Sequence, residues 1–274
     1  MTHQRLVQQA RAWLDAGVPV MLVQVLAARG SVPRGTGTRM LVTAQAQAGS
    51  IGGGQLEWQA LAEARALLQG AGAAPLERDI ALGPTLGQCC GGALRLRYAR
   101  LAPQGADAPE AWPLPPPRFT LYLYGAGHVG RALVRLLADL PCAVHWIDER
   151  EAEFPPGPLP PHIRRVCVDT VEAEAAAAPP GAWHLVMTHS HLLDMAIVQQ
   201  LLARGDFGWL GLIGSRSKRA RFEARLRQRG VAAAELQRIR CPVGLPGITG
   251  KEPEVVALAV AAQLLQQAPP ADAG

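Results

Sequence analysis

The sequence predicts an α/β protein in two parts, a small mixed α/β N-terminal domain followed by a parallel-sheet C-terminal domain. Three observations carry this. From Phe119 onward, apolar strands alternate with helix-length segments, the pattern of βα units with a parallel sheet covered on both faces. Before about residue 100, short strands and two helical stretches are separated by unusually glycine-rich loops. Between them, residues 101–117 read LAPQGADAPEAWPLPPP, and proline removes a donor and restricts φ, so neither helix nor central strand forms easily. We assign residues 1–100 to the first domain, 101–118 to a Pro-rich linker and 119–274 to the second.

In the first domain, Leu6, Val7, Ala10, Trp13 and Leu14 fall at helical spacing, with Gly17 as a stop. Pro19–Ala27 reads as a buried strand and Arg39–Thr43 as a second. Ser50–Gly54 is a glycine loop leading into a helix from Leu56 to Gln69. Ile80–Leu82 and Ala93–Tyr98 read as strands flanking GPTLGQCCGG. In the second, strands are expected at Phe119–Tyr124, Ala143–Ile147, Arg164–Val168, His184–Thr188 and Trp209–Ile213. Helices are expected at His128–Leu140, Val171–Ala178, Leu192–Arg204, Ser217–Arg229 and Glu252–Gln267, Pro253 suiting a first helical turn.

Composition narrows the function. Of 274 residues, 49% are hydrophobic and 18% charged, which excludes a wholly disordered chain. No run approaches the roughly 18 apolar residues of a membrane span. Val18–Ala28 is preceded by Asp15 and by no basic cluster, so it does not read as a signal-peptide core. Net charge is +5, and only Lys218 and Lys251 among the 27 basic residues are lysine. Aromatics are 5% and no basic stripe interleaves with them, so nucleic acid is not the expected partner. Five cysteines are too few and odd in number for a disulfide framework, which favours a reducing, cytoplasmic setting.

The strand Phe119–Tyr124 runs into GAGHVG, placing Gly125, Gly127 and Gly130 in G-x-G-x-x-G. The next strand ends at Asp148, where an acid that binds ribose would lie. Strand, glycines, helix and acid together make a Rossmann-like dinucleotide signature. Gly125 allows the turn, Gly127 lets backbone approach an anion, Gly130 allows helix–strand packing, and free N–H groups face a phosphate. The same glycines would serve a Rossmann-like fold that binds no nucleotide. His128 could touch a phosphate or be a solvated loop residue. Arg150 could meet a second phosphate or be a surface arginine.

Other polar clusters fall at loops. Met187-Thr188-His189-Ser190-His191 ends a strand, with Asp194 one turn on. His189 and His191 could bind metal or move a proton, or Ser190 or His191 could cap the next helix. With no third ligand at metal spacing, zinc is not expected. Gly214-Ser215-Arg216 opens a basic helix suited either to an anion or to ordinary capping. In the first domain, Ser31-x-Pro33-Arg34-x-x-Gly37 and Gly52-Gly53-Gly54-x-x-Glu57 mark loops where backbone could approach a ligand. Cys89 and Cys90, between glycines, are either a ligand-directed thiolate site or two inert cysteines.

Taken in order, SVPRGTGTRM, SIGGGQLE, GQCCGG, YGAGHVG, MTHSHLLD, LIGSRSKRARF and CPVGLPGITGKEPEVVALAVAAQ resemble the xanthine dehydrogenase accessory protein family, XdhC/CoxI, from about Leu6 to Gln267. The resemblance implies a cofactor chaperone rather than a turnover enzyme. Such a protein binds the molybdenum cofactor (molybdopterin), protects it while an oxo ligand is exchanged for sulfido, and delivers it to an apo xanthine dehydrogenase-type hydroxylase. A cysteine-desulfurase-like sulfur donor and homo-oligomers are the further partners implied. Cys89 and Cys90 become the candidates for contact with molybdenum, thiolate being a soft ligand, and Gly125–Gly130 for the phosphate end of the pterin. Ser190 stands where this family is expected to carry an aspartate, which weakens a metal role for that loop. Two other functions compete: an NAD(P)-dependent oxidoreductase, for which no Tyr-x-x-x-Lys pair is present, and a nucleotide-sensing regulatory module.

Overall fold

The computed structural model describes residues 1, 3–70, 75–83, 91–113 and 116–269. They fall into two compact units, one running to residue 113 and one starting at Pro116.

The first unit is a five-stranded antiparallel sheet between two helices. Its strands are β1 (Met21–Arg29), β2 (Arg39–Val42), β3 (Gln47–Gly49), β4 (Leu76–Ala81) and β5 (Ala93–Arg100), in the order β3-β2-β1-β5-β4. Alternation along β1 explains both cores. Met21, Val23 and Val25 pack with Leu56, Ala60 and Ala64 of helix α2 (Gly54–Gln69). Val20 and Leu22 pack with Leu6 and Ala10 of helix α1 (His3–Asp15) on the opposite face. Successive strand side chains point to opposite faces, so a strand covered on both reads as one unbroken apolar run.

Two sequence expectations change here. The strand read as Ile80–Leu82 is β4, Leu76–Ala81. Its first four residues, Leu76-Glu77-Arg78-Asp79, are concealed by charge because this edge strand is mostly exposed. The segment read as a linker is not a free tether over residues 101–113. Trp112 (6% exposed) and Leu101 pack with Leu6 and Ala10, Arg97 pairs with Asp107 at 2.7 Å and Arg11 pairs with Glu110. Proline forbids regular structure but not burial, and one tryptophan supplies enough apolar area to hold the segment down.

The second unit is a six-stranded parallel sheet in the order β11-β10-β9-β6-β7-β8. The strands are β6 (Thr120–Tyr124), β7 (Ala143–Asp148), β8 (Ile163–Cys167), β9 (Trp183–Val186), β10 (Trp209–Leu212) and β11 (Ile239–Arg240). Helices α3 (His128–Leu137) and α8 (Pro253–Gln267) contribute to the core on one face, with Leu121, Leu123, Val144 and Trp146. Helices α4 (Val171–Ala177), α5 (His191–Arg204), α6 (Arg216–Gln228) and α7 (Ala233–Gln237) contribute to the core on the other, with Tyr122, Tyr124 and Ile147. β6 pairs with both β7 and β9, so the order reverses beside β6 and opens a crevice at the carboxyl ends of β6 and β9.

Candidate functional site

In the first unit, glycine loops far apart in sequence converge. A Cβ on Gly52 would lie 2.5 Å from the Cβ of Pro33, and one on Gly92 would lie 2.5 Å from the carbonyl oxygens of Arg29 and Ser31. Only glycine permits these approaches. The loop carrying Arg34 therefore touches both the Gly52–Gly54 loop and Gly92. Cys89 and Cys90 lie outside the described residues; Gly91 and Gly92 follow them directly in sequence. Arg34 is exposed.

The Gly52–Gly54 loop is organised from within. The Glu57 carboxylate accepts from the Ile51 and Gly53 amides, both at 3.0 Å, from the Ser50 hydroxyl and from Gln47 Nε2. Burial pushes its pKa up, but these bonds outweigh that and hold it below the usual carboxylate value. In the loop read as a place where backbone could approach a ligand, the Ile51 and Gly53 amides are thus spent on the chain's own anion.

In the second unit, a cleft at the strand ends is lined by Gly125, Ile147, Asp148, Glu149, Val171, Thr188, His189 and Leu193. Gly125 has φ +121, and a Cβ there would sit 2.3 Å from the Met187 carbonyl oxygen. A Cβ on Gly130 would sit 2.3 Å from the Gly125 carbonyl oxygen, whereas one on Gly127 would meet nothing within 4 Å. The first and third glycines therefore do the turning and packing, and the second presents open backbone. His128 is exposed at the start of α3.

Asp148 is 4% exposed and fully engaged. Its Oδ2 accepts from the Ala126 amide at 2.6 Å and Arg150 Nη2 at 2.9 Å; its Oδ1 accepts from the Arg150 amide at 3.0 Å and Arg150 Nε at 2.9 Å. Burial raises its pKa, yet the Arg150 and amide bonds win and keep it low. A dinucleotide ribose needs free acceptor positions on this acid, and Asp148 as it stands offers none.

His189 lies in the cleft, its Nε2 3.5 Å from Glu149 Oε1, while His191 opens α5 and is exposed. Ser190 caps α5, accepting from Leu193 N, and Ser215 caps α6, accepting from Lys218 N. Among the described residues no group of three or more His, Cys, Asp or Glu is placed to hold a metal ion. Arg216 does not line the cleft. It borders a separate cavity of about 320 Å³ walled by residues 242–246, Ile248, Gly250 and the first turns of α8.

The sequence reading missed a buried ion pair. Lys218 Nζ donates to Asp194 Oδ2 at 2.6 Å and to the Ile213 carbonyl at 2.9 Å. Thr188 donates to Asp194 Oδ1 through its amide at 3.0 Å and its hydroxyl at 2.7 Å. Asp194 is 1% and Lys218 8% exposed. A Cβ on Gly214 would lie 2.5 Å from Lys218 Cδ, so Gly214 makes room for the lysine. The pair ties the loop after β9 to the loop after β10, and through Thr188 it reaches the cleft. One signal was legible: a chain with two lysines among its 27 basic residues places one of them at a helix start after a strand–glycine turn.

A family model described as the XdhC Rossmann domain matches residues 121–264. One described as the XdhC and CoxI family matches residues 13–78. The chain is 30% identical over 264 residues to the uncharacterized protein YqeB of Escherichia coli (strain K12), covering 92% of this chain and 44% of YqeB. It therefore spans less than half the length of that relative. A crystal structure described as a xanthine dehydrogenase from Bacillus halodurans superposes with a TM-score of 0.66 at 19% identity, covering 97% of this chain and 96% of that one. That likeness shows the shared fold. With the Rossmann-domain match alone taking in more than half of its residues, this chain belongs to the XdhC/CoxI family.

Proposed function

We propose that this protein is an accessory factor for a xanthine dehydrogenase-type hydroxylase, binding the molybdenum cofactor as cargo and delivering it to the apoenzyme. Family membership supports the accessory role. The observation that carries the cargo reading is the convergence of glycine loops in the first unit. Gly52 packs on Pro33, Gly92 packs on the Arg29–Ser31 backbone, and the two residues preceding the Gly91–Gly92 pair in sequence are Cys89 and Cys90. Close-packed backbone suits a flat pterin, the exposed Arg34 suits its phosphate, and thiolate sulfur suits molybdenum. Burial pushes the Cys142 thiol up to about 12 and raises that of Cys241, Cys167 is exposed but belongs to the second unit, at the end of β8, with its pKa also raised, and the Cys89–Cys90 string is the soft donor adjoining the glycine loops in sequence.

In this reading the protein shields the cofactor while sulfur arrives from a cysteine-desulfurase-like donor, and it turns over no substrate of its own. The test is metal analysis and pterin fluorescence on protein purified from cells that make the cofactor. Wild type should carry substoichiometric molybdenum and pterin, and Cys89→Ala and Cys90→Ala should each lower the molybdenum load several-fold. If both variants load like wild type, the thiol assignment is wrong; if wild type carries neither, the cargo reading is wrong.

A further inference from the structure

We propose that Arg150 is a specificity-determining residue that closes the fingerprint cleft to the free ribose diol of NAD(H), with Asp148 as the latch that holds it there. The inference is independent of the cargo reading. A carboxylate offers about four lone-pair positions. On Asp148 all four are taken, three by Arg150 and one by the Ala126 amide of the fingerprint loop. The 2′- and 3′-hydroxyls of a ribose would have to donate into positions that a bidentate guanidinium already fills. Charge-assisted forked pairs of this kind are among the stronger hydrogen bonds, and a neutral diol is a poor replacement.

The arginine is held from a second side. Its Nη1 lies 3.5 Å from Glu153 Oε1, and Glu153 Oε2 accepts from Arg131 of α3 at 3.2 Å. Arg131–Glu153–Arg150–Asp148 thus forms a chain of alternating charge from the fingerprint helix back to the fingerprint loop. The local sequence builds it. Arg150 follows β7 by two residues, so its own amide reaches Asp148 Oδ1 in the manner of an Asx turn, and the short 3₁₀ turn Glu151–Glu153 brings Glu153 alongside. A guanidinium only donates. Held against Asp148, it leaves a diol at this acid no free acceptor to donate to and suits a group that only accepts. The ligand class it admits is a phosphomonoester at that position, as in a 2′-phosphorylated nucleotide.

Titrating the full-length protein with NADH and with NADPH, followed by ligand fluorescence, tests this. Wild type should bind NADPH at least about tenfold more tightly than NADH, or bind neither below millimolar concentration. Arg150→Gln keeps a hydrogen-bond donor near Asp148 but gives up the fork, and should tighten NADH at least about tenfold. Adding Asp148→Asn to it should abolish that gain. A thermal melt confirms that each variant is folded, and Arg150→Lys serves in its place if the glutamine variant is not. Wild-type protein that binds NADH as well as NADPH would overturn the proposal. So would an NADH affinity that the folded Arg150 variant leaves unchanged.

Discussion

His184 is the buried residue whose environment carries the clearest solution consequence. It sits on β9 with 2% exposure, its Nδ1 3.0 Å from the Tyr124 hydroxyl and its ring beside Tyr122. Burial, then Arg204, pushes its pKa down to about 4, with Asp206 opposing. The imidazole is therefore neutral in the fold at pH values where it takes a proton in the unfolded chain. With an unfolded value near 6.5, its contribution is intact above that pH and is lost as pH falls from about 6.5 toward 4. The full loss is on the order of 3 kcal/mol. Unfolding free energies from urea titrations between pH 7 and 5, above the range of ordinary carboxylates, should fall at about 1 kcal/mol per pH unit. His184→Gln should flatten that slope; an unchanged slope would assign the acid sensitivity elsewhere. This histidine drew no attention in the sequence because nothing local marks it. Its strand neighbours Trp183 and Leu185 are apolar, and its partner Tyr124 lies 60 residues away.

Element ends show a similar division. Ser190 and Ser215 cap α5 and α6, roles that follow from a hydroxyl just before a helix and that sequence could suggest. The start of α2 has no side-chain cap of that kind; Glu57, four residues past Gly53, reaches back to the loop amides instead. Glu57→Gln removes the charge that strengthens these bonds, and with its carbonyl oxygen in the place of Oε2, which serves Ile51, Gly53 and Ser50, its amide group faces the Gln47 Nε2 donor. We expect a loss of about 1–2 kcal/mol in urea unfolding. Because the folded pKa of Glu57 is lowered, the contribution is present above the ordinary carboxylate range and lost as pH falls through that lowered value. The wild-type and Gln curves should therefore converge in acid. Equal stability at neutral pH would mean that Glu57 does not hold the loop.

At the scale of the molecule, each unit has its own core. Phe119, Leu121, Trp146 and Trp209 belong to one buried cluster of the second unit and Tyr124, Ile197 and Phe222 to another, and among the described residues neither cluster includes one from the first unit. Residues 116–269 expressed alone should accordingly unfold in a single cooperative step with a tryptophan signal; a fragment without cooperative unfolding would show that its core is incomplete. The alternation of strands and helices from Phe119 was legible because it is written in contiguous residues: a strand, a glycine turn and a helix start are adjacent in the chain. So were Gly125 and Gly130, whose missing side chains are demanded by a turn that any such βα unit must make. The sequence by itself thus determined the Rossmann-like half and the location of its crevice. Only the tertiary structure decided the antiparallel order β3-β2-β1-β5-β4, the seating of Gly52 on Pro33, the Asp194–Lys218 pair and the Ala126 amide that Asp148 holds beside the local Arg150. Spacing tells where a carboxylate stands along the chain and which near neighbours can reach it, but not the distant donors that packing brings up: Ala126 reaches Asp148 from 22 residues before it, and Lys218 reaches Asp194 from 24 residues after it.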